Sequence, residues 1–248
     1  MKVAVTGATG FLGQYVINLL ISIKEYKTIS IGRSPIYKVD TINEHRVTDY
    51  TVRSLEEVLS DIDVVVHLAA KRGGEGHIIE FQDNITITQN LYEACRFRGI
   101  KNIVFASSIS VYSVDNALPW NEEEIPKPRN VYGISKLTSE LIGEIYNREY
   151  NMNIKNLRFA HLFGCNEPND YMINKFMRQA FNKEKLVLYS KDNVKREFLY
   201  NKDAAFAVLC AIKKEDIKGS FNIGSGEKKT NFEIAEIINK TFNNIGNL

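Results

Sequence analysis

Three polar side chains in the middle of the chain could together move a proton. Tyr132 precedes Lys136 by four residues, so on a helix the two side chains lie on one face, one turn apart. A phenol is a poor base at neutral pH, but a neighbouring ammonium favours the phenolate and makes Tyr132 a usable acid and base. Ser108 follows the apolar run 103–106 and could hydrogen-bond a reacting oxygen as charge develops on it. These three residues are the predicted catalytic set.

A glycine-rich segment at the start of the chain could hold a dinucleotide. Residues 6–13 read TGATGFLG and lie between a β-branched run at 2–6 and an apolar-periodic stretch, which predicts a strand followed by a helix. Gly7 permits a tight turn, Gly10 lets the backbone approach phosphates, and Gly13 lets helix and strand pack closely. Amide groups at the start of the helix suit a pyrophosphate. Together with the catalytic set, the segment predicts a site where a dinucleotide moves a hydride.

Size and composition are typical of an enzyme. The 248 residues are 44% hydrophobic and 25% charged, with a net charge of +2, so one large domain, or one domain and a small lobe, can bury a core. The chain has no long basic tract, no apolar run of membrane-spanning length and no room for a signal peptide before the first predicted strand. Cys95, Cys165 and Cys210 are widely spaced, which fits reduced thiols. We therefore expect a cytoplasmic protein that binds no metal, no nucleic acid and no membrane.

Predicted strands and helices alternate through the first two thirds of the chain. The predicted strands are 3–6, 28–31, 64–68, 103–106, 154–159 and 221–223, and the predicted helices are 11–23, 54–59, 80–98 and 131–150. This alternation predicts an α/β fold with a doubly wound parallel sheet. After residue 166, helices at 172–182, 202–212 and 232–242 and a strand at Leu186–Tyr189 predict a small C-terminal lobe. We expect a dinucleotide-binding domain at 1–165 and a substrate-binding lobe at 166–248, with interleaved segments.

Seven segments carry a family pattern, in family order and over nearly the whole chain. They are TGATGFLG at Thr6–Gly13, VVHLAA at Val65–Ala70, FASSISVYS at Phe105–Ser113, YGISK at Tyr132–Lys136, LRFAHLFG at Leu157–Gly164, REFLYNKDAA at Arg196–Ala205 and FNIGSG at Phe221–Gly226. The pattern resembles extended short-chain dehydrogenases/reductases, in the branch of NAD-dependent epimerases and dehydratases that act on nucleotide sugars. Within that branch it is similar to the pattern of UDP-hexose 4-epimerases, including those that act on N-acetylated sugars.

The resemblance implies a Rossmann-like fold and an isomerase that interconverts UDP-glucose or UDP-N-acetylglucosamine with its C4 epimer through a 4-keto intermediate. In the implied cycle Tyr132 takes the C4 hydroxyl proton while a hydride passes to a bound nicotinamide, and Lys136 also holds the nicotinamide ribose. The implied cofactor contacts are Gly7, Gly10, Phe11, Leu12, Gly13, Arg33, Asp49, Tyr50, Leu68, Ala69, Ala70, Asn84, Ser107, Tyr132 and Lys136. The implied substrate contacts are Ser108, Ser110, His161, Asn174, Leu188 and Arg196.

Some of these roles have structural alternatives. Asp49 either contacts adenine or caps the helix predicted from Ser54. Asn84 either contacts the cofactor or ties its helix to the strand that carries Ser108. Arg196 is either a surface residue or the side chain whose planar guanidinium binds the substrate diphosphate through two hydrogen bonds.

Three departures from the family pattern bear on the reaction. Dehydratases of this branch carry an Asp-Glu pair after the catalytic hydroxyl, whereas Ile109-Ser110 follows Ser108, so dehydration is disfavoured. His161 stands where the family usually has an Asn that contacts a substrate phosphate. The second strand ends in Gly32-Arg33 and lacks the acidic residue that binds the NAD ribose, which leaves space and positive charge for a 2′-phosphate. The epimerase pattern therefore indicates NAD, the strand end indicates NADP, and both stay open.

Two other functions stay open beside the epimerase. Arg33 favours an NADPH-dependent reductase of 4-keto nucleotide sugars. The chain ends at Leu248, before the place where the family supplies a second phosphate-binding Arg, which favours a non-catalytic dinucleotide-binding protein. The intact catalytic set favours the epimerase. The predicted helices 80–98 and 131–150 resemble those that pair family subunits, so we expect a homodimer joined by a four-helix bundle.

Overall fold

The chain forms two compact units, each built from two segments. The computed structural model describes residues 1–35, 44–72, 76–167, 171–188 and 194–246. The first unit comprises Met1–Phe159 and Lys202–Ile223, and the second comprises Ala160–Asn201 and Gly224–Leu248. The chain thus leaves the first unit and later returns to it. The assignment of the cofactor to 1–165 and of the substrate to 166–248 stays a prediction.

Strands and helices are numbered in chain order through the described residues. The strands are β1 (Lys2–Thr6), β2 (Lys27–Gly32), β3 (Glu44–Val47), β4 (Val64–His67), β5 (Asn102–Ser108), β6 (Asn153–Phe159), β7 (His161–Phe163), β8 (Arg196–Tyr200), β9 (Gly219–Ile223) and β10 (Lys228–Lys229). The helices are α1 (Phe11–Ile21), α2 (Val52–Val58), α3 (Ile79–Phe97), α4 (Val131–Glu149), α5 (Met172–Phe181), α6 (Asn201–Lys213) and α7 (Asn231–Thr241).

A seven-stranded parallel sheet forms the centre of the first unit. Its strand order is β3-β2-β1-β4-β5-β6-β9, and every neighbouring pair runs parallel. Val3, Val5 and Val65 are fully buried, as expected when helices cover both faces of a parallel sheet. The predicted Rossmann-like α/β fold is confirmed. The strand order reverses between β1 and β4, and open sheets of this kind bind ligands at the carboxyl ends of the strands at such a point.

Local signals explain where the helices of the first unit begin and what they cover. Leu55 of α2, Leu91 of α3 and Ile103 of β5 are buried in one apolar cluster, so the apolar stripe of each helix packs on the sheet. The N-cap of α4 is Asn130, whose side-chain oxygen accepts a hydrogen bond from the amide of Gly133 at 2.7 Å. This cap satisfies an amide of the first turn, the turn that carries the predicted catalytic tyrosine.

The described residues of the second unit form a small sheet and two helices. Its strand order is β10-β8-β7, with β8 parallel to β7 and antiparallel to β10. Ile173 and Phe176 of α5 are buried together with Ala235 and Ile238 of α7. The two helices therefore share one apolar core.

The predicted strand at Leu186–Tyr189 is wrong for residues 186–188, which are irregular, and Tyr189 lies outside the described residues. Leu186 is buried in the apolar core of the second unit and Leu188 packs against that core, whereas Val187 is exposed. The alternation that predicted a strand comes from packing of side chains and not from backbone pairing.

Two kinds of feature are absent from the described ranges. None of their helices combines the length and apolar character needed to cross a bilayer. No group of three or more His, Cys, Asp or Glu side chains in these ranges is arranged to hold a metal ion.

Candidate active site

The glycine-rich turn between β1 and α1 is shaped for close contact with a ligand backbone. Gly7 has a φ of +70°, and a β-carbon there would lie 2.7 Å from the amide nitrogen of Ala69. A β-carbon on Gly13 would lie 2.1 Å from the carbonyl oxygen of Gly7. Gly10 caps α1 without a side-chain hydrogen bond, and the first turn carries no acidic residue. The helix therefore presents its positive end without a competing cap, which fits a dinucleotide pyrophosphate.

The ends of β1 and β4 are tied together beside this turn by a buried histidine. His67 is hydrogen-bonded through Nδ1 with Oγ1 of Thr6 at 2.7 Å and through Nε2 with Oγ1 of Thr88 at 3.0 Å. Burial, together with the charge of Lys136, lowers the pKa of His67 to about 3, so the imidazole is neutral. The predicted cofactor contacts Leu68, Ala69 and Ala70 follow directly, and a β-carbon on Gly7 would collide with the first two. Sequence reasoning did not assign His67 a role, although it lies inside the VVHLAA segment.

Asn84 joins α3 to the segment that follows β4. Its side-chain nitrogen donates to the carbonyl oxygen of Lys71 at 3.0 Å, and its oxygen accepts from the amide of Lys71 at 2.7 Å. The alternative that Asn84 ties its helix to the strand of Ser108 is therefore wrong. Its contact with a cofactor stays a prediction.

The end of β2 presents a positive charge. The Arg33 guanidinium is exposed, lies 5.5 Å from the ring centroid of Tyr50 and is 3.9 Å from an oxygen of Asp83. Tyr50 is buried at a φ of +64°, and burial raises the pKa of its phenol. A cation at this place suits the adenosine end of a dinucleotide, whose contacts with Arg33 and Tyr50 stay predictions.

The exposed carboxylate of Asp49 lies just before α2 but does not cap it. Its Oδ1 accepts hydrogen bonds from the amide and the hydroxyl of Thr51, each at 2.8 Å. These bonds lower the pKa of Asp49. The N-cap of α2 is Thr51, whose hydroxyl accepts from the amide of Ser54, so the helix-cap alternative is wrong. Contact of Asp49 with adenine stays a prediction.

The structure brings Tyr132 and Lys136 together on α4. The Lys136 Nζ lies 5.7 Å from the Tyr132 ring centroid and 4.7 Å from that of Phe105, and it donates to the carbonyl oxygen of Ala106 at 2.6 Å. Burial lowers the pKa of Lys136 to about 8, and the Glu140 carboxylate opposes this decrease. At neutral pH the lysine is therefore mostly charged and can favour the phenolate of Tyr132.

Ser108 ends β5 and begins a 3₁₀ turn at Ile109–Val111. Its Oγ donates to Oγ of Ser110 and accepts from the amide of Ser110, both at 3.1 Å. The first turn of α4 packs directly on this segment, because a β-carbon on Gly133 would lie 2.1 Å from the Ser110 carbonyl oxygen. Sequence reasoning missed Gly133, and its only signal was the glycine after the tyrosine in YGISK. The catalytic roles of the three side chains stay predictions.

The remaining predicted substrate contacts lie in the second unit, where each has its own partner. The exposed His161 ring is 5.7 Å from that of Phe198, and the side-chain nitrogen of Asn174 donates to the carbonyl oxygen of Glu167 at 2.7 Å. Their contacts with substrate stay predictions.

Arg196 and Leu188 complete the predicted substrate set. Arg196 begins β8 and donates from Nη1 to Oδ1 of Asn231 at 3.2 Å. Leu188 is half-buried against the apolar core of the second unit. Their substrate contacts also stay predictions.

A buried ion pair joins Glu140 of α4 to Arg158 of β6, with an Nη2–Oε2 distance of 2.7 Å. The hydroxyl of Ser107 donates to the same carboxylate, so this predicted cofactor contact is engaged inside the protein. Sequence reasoning missed both members of the pair, because they lie on a helix and on the strand that follows it, and neither position has a local signal for an ion pair.

Comparison with known proteins agrees with this geometry. The model of the NAD dependent epimerase/dehydratase family matches residues 3–224. The UDP-N-acetylglucosamine 4-epimerase of Bacillus cereus is 53% identical with a TM-score of 0.94, and the match covers 100% of this chain and 84% of that one. The UDP-glucuronic acid 4-epimerase of Bacillus cereus, solved in complex with NAD, is 26% identical with a TM-score of 0.85, covering 97% of this chain and 84% of that one.

A curated relative shows the same similarity at the sequence level. YtcB of Bacillus subtilis, an uncharacterized UDP-glucose epimerase, is 28% identical over 96% of this chain and 81% of its own length. The glycine-rich turn, the Tyr132–Lys136 pair and a family match over most of the chain thus agree, and this chain belongs to the NAD dependent epimerase/dehydratase family.

Proposed function

We propose that the protein is an NAD-dependent UDP-N-acetylglucosamine 4-epimerase. The observation that carries this proposal is the buried Lys136 ammonium beside the Tyr132 ring, 5.7 Å from its centroid, on a helix packed against the Ser108–Ser110 segment. This arrangement suits reversible proton transfer at a hydroxyl group. The choice of sugar rests on the 53% identity to the Bacillus cereus enzyme over the whole of this chain.

The glycine-rich turn binds the cofactor, and the catalytic set transfers the proton. When bound, NAD supplies the hydride acceptor and donor for C4 of the sugar. The turn at Gly7 and the start of α1 hold the pyrophosphate. Tyr132 takes the proton of the C4 hydroxyl and later returns a proton to the same oxygen, while the Lys136 ammonium favours the phenolate. Ser108 donates a hydrogen bond to that oxygen and stabilises the charge that develops on it.

The second unit is proposed to bind the nucleotide part of the substrate. Arg196, half-buried at the start of β8, has the planar guanidinium that suits a diphosphate. His161 and Asn174 offer further hydrogen-bond donors, and Leu188 an apolar contact. Epimerisation requires the hexose to present either face, so a firm hold on the diphosphate with few contacts to the hexose fits the reaction.

We also propose a homodimer formed by α3 and α4 as a four-helix bundle. The outer side of α4 carries Ile134, Leu141 and Ile145, which are 42%, 50% and 46% exposed. Their spacing of seven and four residues puts them on one stripe of the helix, which favours burial against a second copy. Light scattering of the purified protein should give twice the chain mass, and Leu141→Glu should give the mass of one chain. A monomeric wild-type protein would contradict the proposal.

The activity test begins with protein purified without added cofactor. Denaturation should release NAD, identified by mass, and native protein should interconvert UDP-N-acetylglucosamine with its C4 epimer when no cofactor is added. UDP-glucose is the comparison substrate, and Tyr132→Phe should reduce the rate about 100-fold or more. Activity that requires added NADPH and consumes it stoichiometrically would instead identify a reductase. Tight dinucleotide binding with no turnover would identify a non-catalytic binding protein.

A further inference from the structure

A buried ion pair lies beside the proposed catalytic set, yet the proton transfer described above does not use it. Arg158 donates from Nη2 to Oε2 of Glu140 at 2.7 Å and from Nε to Oε1 at 3.1 Å. The two side chains are 4% and 1% exposed. Removing two charges from water is costly, so a buried ion pair is weak support for stability by itself. The contacts of Glu140 and Arg158 with neighbouring residues indicate a role besides stability.

The carboxylate and the catalytic lysine hold successive residues at the end of β5. Lys136 Nζ donates to the carbonyl oxygen of Ala106 at 2.6 Å, and the hydroxyl of Ser107 donates to Glu140. Lys136 and Glu140 are one helical turn apart on α4. The strand is therefore fixed at two successive residues immediately before Ser108.

Arg158 fixes the other end of the turn that begins at Ser108. Its Nη1 donates to the hydroxyl oxygen of Tyr112 at 2.6 Å, and Tyr112 directly follows the 3₁₀ turn. The Tyr112 hydroxyl in turn donates to Oδ1 of Asn222 on β9 at 3.1 Å, and its ring stacks on Trp120 at 5.3 Å. The ion pair thus holds the Ser108 turn at both ends.

The groups that face Lys136 set its charge. Glu140 and Tyr132 face it from its own helix, and His67 faces it from β4. Because the pKa of His67 is about 3, this imidazole is neutral at physiological pH. Burial lowers the pKa of Lys136, and Glu140 raises it.

Besides Ser107 of β5, the groups that face Glu140 come from β6, β9, α3 and its own helix. Arg158 of β6 is paired with it, and Ser220 of β9 donates a hydrogen bond to it at 3.4 Å. The negative charge of Glu140 also contributes to the raised pKa of Tyr92 on α3 and of Glu144 on α4. The Glu140 carboxylate therefore interacts with two buried cations, Arg158 and Lys136.

We propose that Glu140, held by Arg158, is a positioning residue for proton transfer: it fixes the Ser108 turn and keeps the Lys136 ammonium charged beside Tyr132. This inference rests on the proposed roles of Ser108, Tyr132 and Lys136. Removing the negative charge favours neutral Lys136, and the Tyr132 phenolate then forms only at higher pH.

The test titrates Tyr132 without any sugar. The phenolate absorbance of NAD-saturated protein is followed against pH in the wild type and in Glu140→Gln. The chain has 12 tyrosines, so each curve is corrected by that of the same protein carrying Tyr132→Phe. We expect the Tyr132 midpoint to rise by about one pH unit in Glu140→Gln. The kcat at neutral pH should fall about tenfold, with the KM for UDP-N-acetylglucosamine little changed.

Two further variants separate positioning from stability. Glu144→Gln removes a carboxylate one turn further along the same helix and should leave the titration and kcat at wild-type values. Glu140→Gln combined with Arg158→Met leaves no unpaired buried charge, so it should fold even where the single variant does not. We expect this double variant to keep the raised Tyr132 midpoint. If the ion pair contributed only to stability, the double variant would have the wild-type Tyr132 midpoint.

Each outcome has one meaning. A wild-type Tyr132 midpoint in a folded variant that lacks Glu140 overturns the inference, whatever happens to kcat. Failure of both Glu140 variants to fold also overturns it, because the pair then acts on stability. A raised midpoint in Glu140→Gln, together with a wild-type protein that has no epimerase activity, supports the positioning role and removes only the proposed function.

Discussion

A β-carbon on Gly133 would lie 2.1 Å from the carbonyl oxygen of Ser110 and 2.9 Å from its carbonyl carbon. The first turn of α4 can therefore pack on the Ser108–Ser110 segment only because residue 133 has no side chain. Two segments far apart in sequence, one with the predicted acid and base and the other with the predicted hydroxyl donor, meet at this contact.

Replacing Gly133 by Ala should damage both stability and catalysis. An alanine usually stabilises a helix interior relative to glycine. Here, however, the added methyl group would collide with the backbone carbonyl group of Ser110, which cannot move aside as a side chain can. We expect a loss of about 1–3 kcal/mol in the free energy of unfolding and a loss of about 100-fold in kcat from displacement of Tyr132. Urea unfolding and steady-state kinetics measure the two effects.

Gly143→Ala is the matched control on the same helix. Its β-carbon would lie 3.2 Å from the Cγ2 atom of Ile154, and a side chain can shift where a carbonyl group cannot. This variant should keep wild-type kcat. Equal kcat values in the two variants would show that the contact between Gly133 and Ser110 does not position the site.

Gly7 and Gly99 separate backbone strain from collision at the dinucleotide turn. Both have a φ of +70°, but a β-carbon on Gly7 would lie 2.7 Å from the amide nitrogen of Ala69, whereas nothing lies within 4 Å of one on Gly99. Each alanine substitution should cost about 1–2 kcal/mol of stability from the left-handed conformation. Only Gly7→Ala should also lose NAD affinity, by at least about tenfold. Calorimetric titration with NAD measures it, and equal affinities would exclude the turn as the pyrophosphate site.

The fold could be predicted from the sequence, and a catalytic set could be proposed, because the signals for both are local. The glycine-rich turn lies within eight residues at Thr6–Gly13, and the spacing of Tyr132 and Lys136 fixes their common helix face. The alternating pattern also predicts the parallel sheet, since strands buried on both faces are continuous apolar runs.

Other features depend on residues that meet only after folding. Glu140 and Arg158 are charged residues on a helix and on the strand that follows it, and neither position has a local signal for an ion pair. The edge strand β3 contains Glu44, His45 and Arg46, all half-buried, so it lacks the apolar run that reveals a central strand. At Leu186 and Leu188 the sequence pattern predicts a strand that is not there. Both side chains pack on the apolar core of the second unit, so they alternate with an exposed residue as in a strand, although the backbone is irregular.

Arg33 should decide how well the protein accepts NADP beside NAD. Its exposed guanidinium at the end of β2 lies 5.5 Å from the Tyr50 ring centroid and can pair with a 2′-phosphate. We expect Arg33→Glu to weaken NADP binding at least about tenfold and to change NAD binding less than about threefold. Calorimetric titration with each dinucleotide measures this. Arg53→Glu makes the same charge change on α2, and an equal loss of NADP affinity there would point to long-range charge and not to a contact.

His67 should make the free energy of unfolding depend on pH. Its pKa is about 3 in the folded protein and about 6.5 in an unfolded chain. Between these values the unfolded chain binds the additional proton, so stability is complete above about pH 6.5 and falls as the pH decreases, by up to about 1.4 kcal/mol per pH unit. From pH 7 to pH 5 the wild type should therefore lose about 2 kcal/mol more than His67→Gln, which lacks the imidazole.

Urea unfolding at the two pH values measures this difference directly, and the carboxylates that titrate in the same range cancel because both proteins contain them. His77→Gln, which removes an exposed imidazole, is the matched control and should lose as much stability as the wild type. An equal loss in His67→Gln would mean that the imidazole between Thr6 and Thr88 has the same pKa in the folded protein as in the unfolded chain, so that it is protonated at pH 5. At that pH the imidazole that joins the ends of β1 and β4 would carry a positive charge, and this charge would disfavour the Lys136 ammonium on which the Tyr132 phenolate depends.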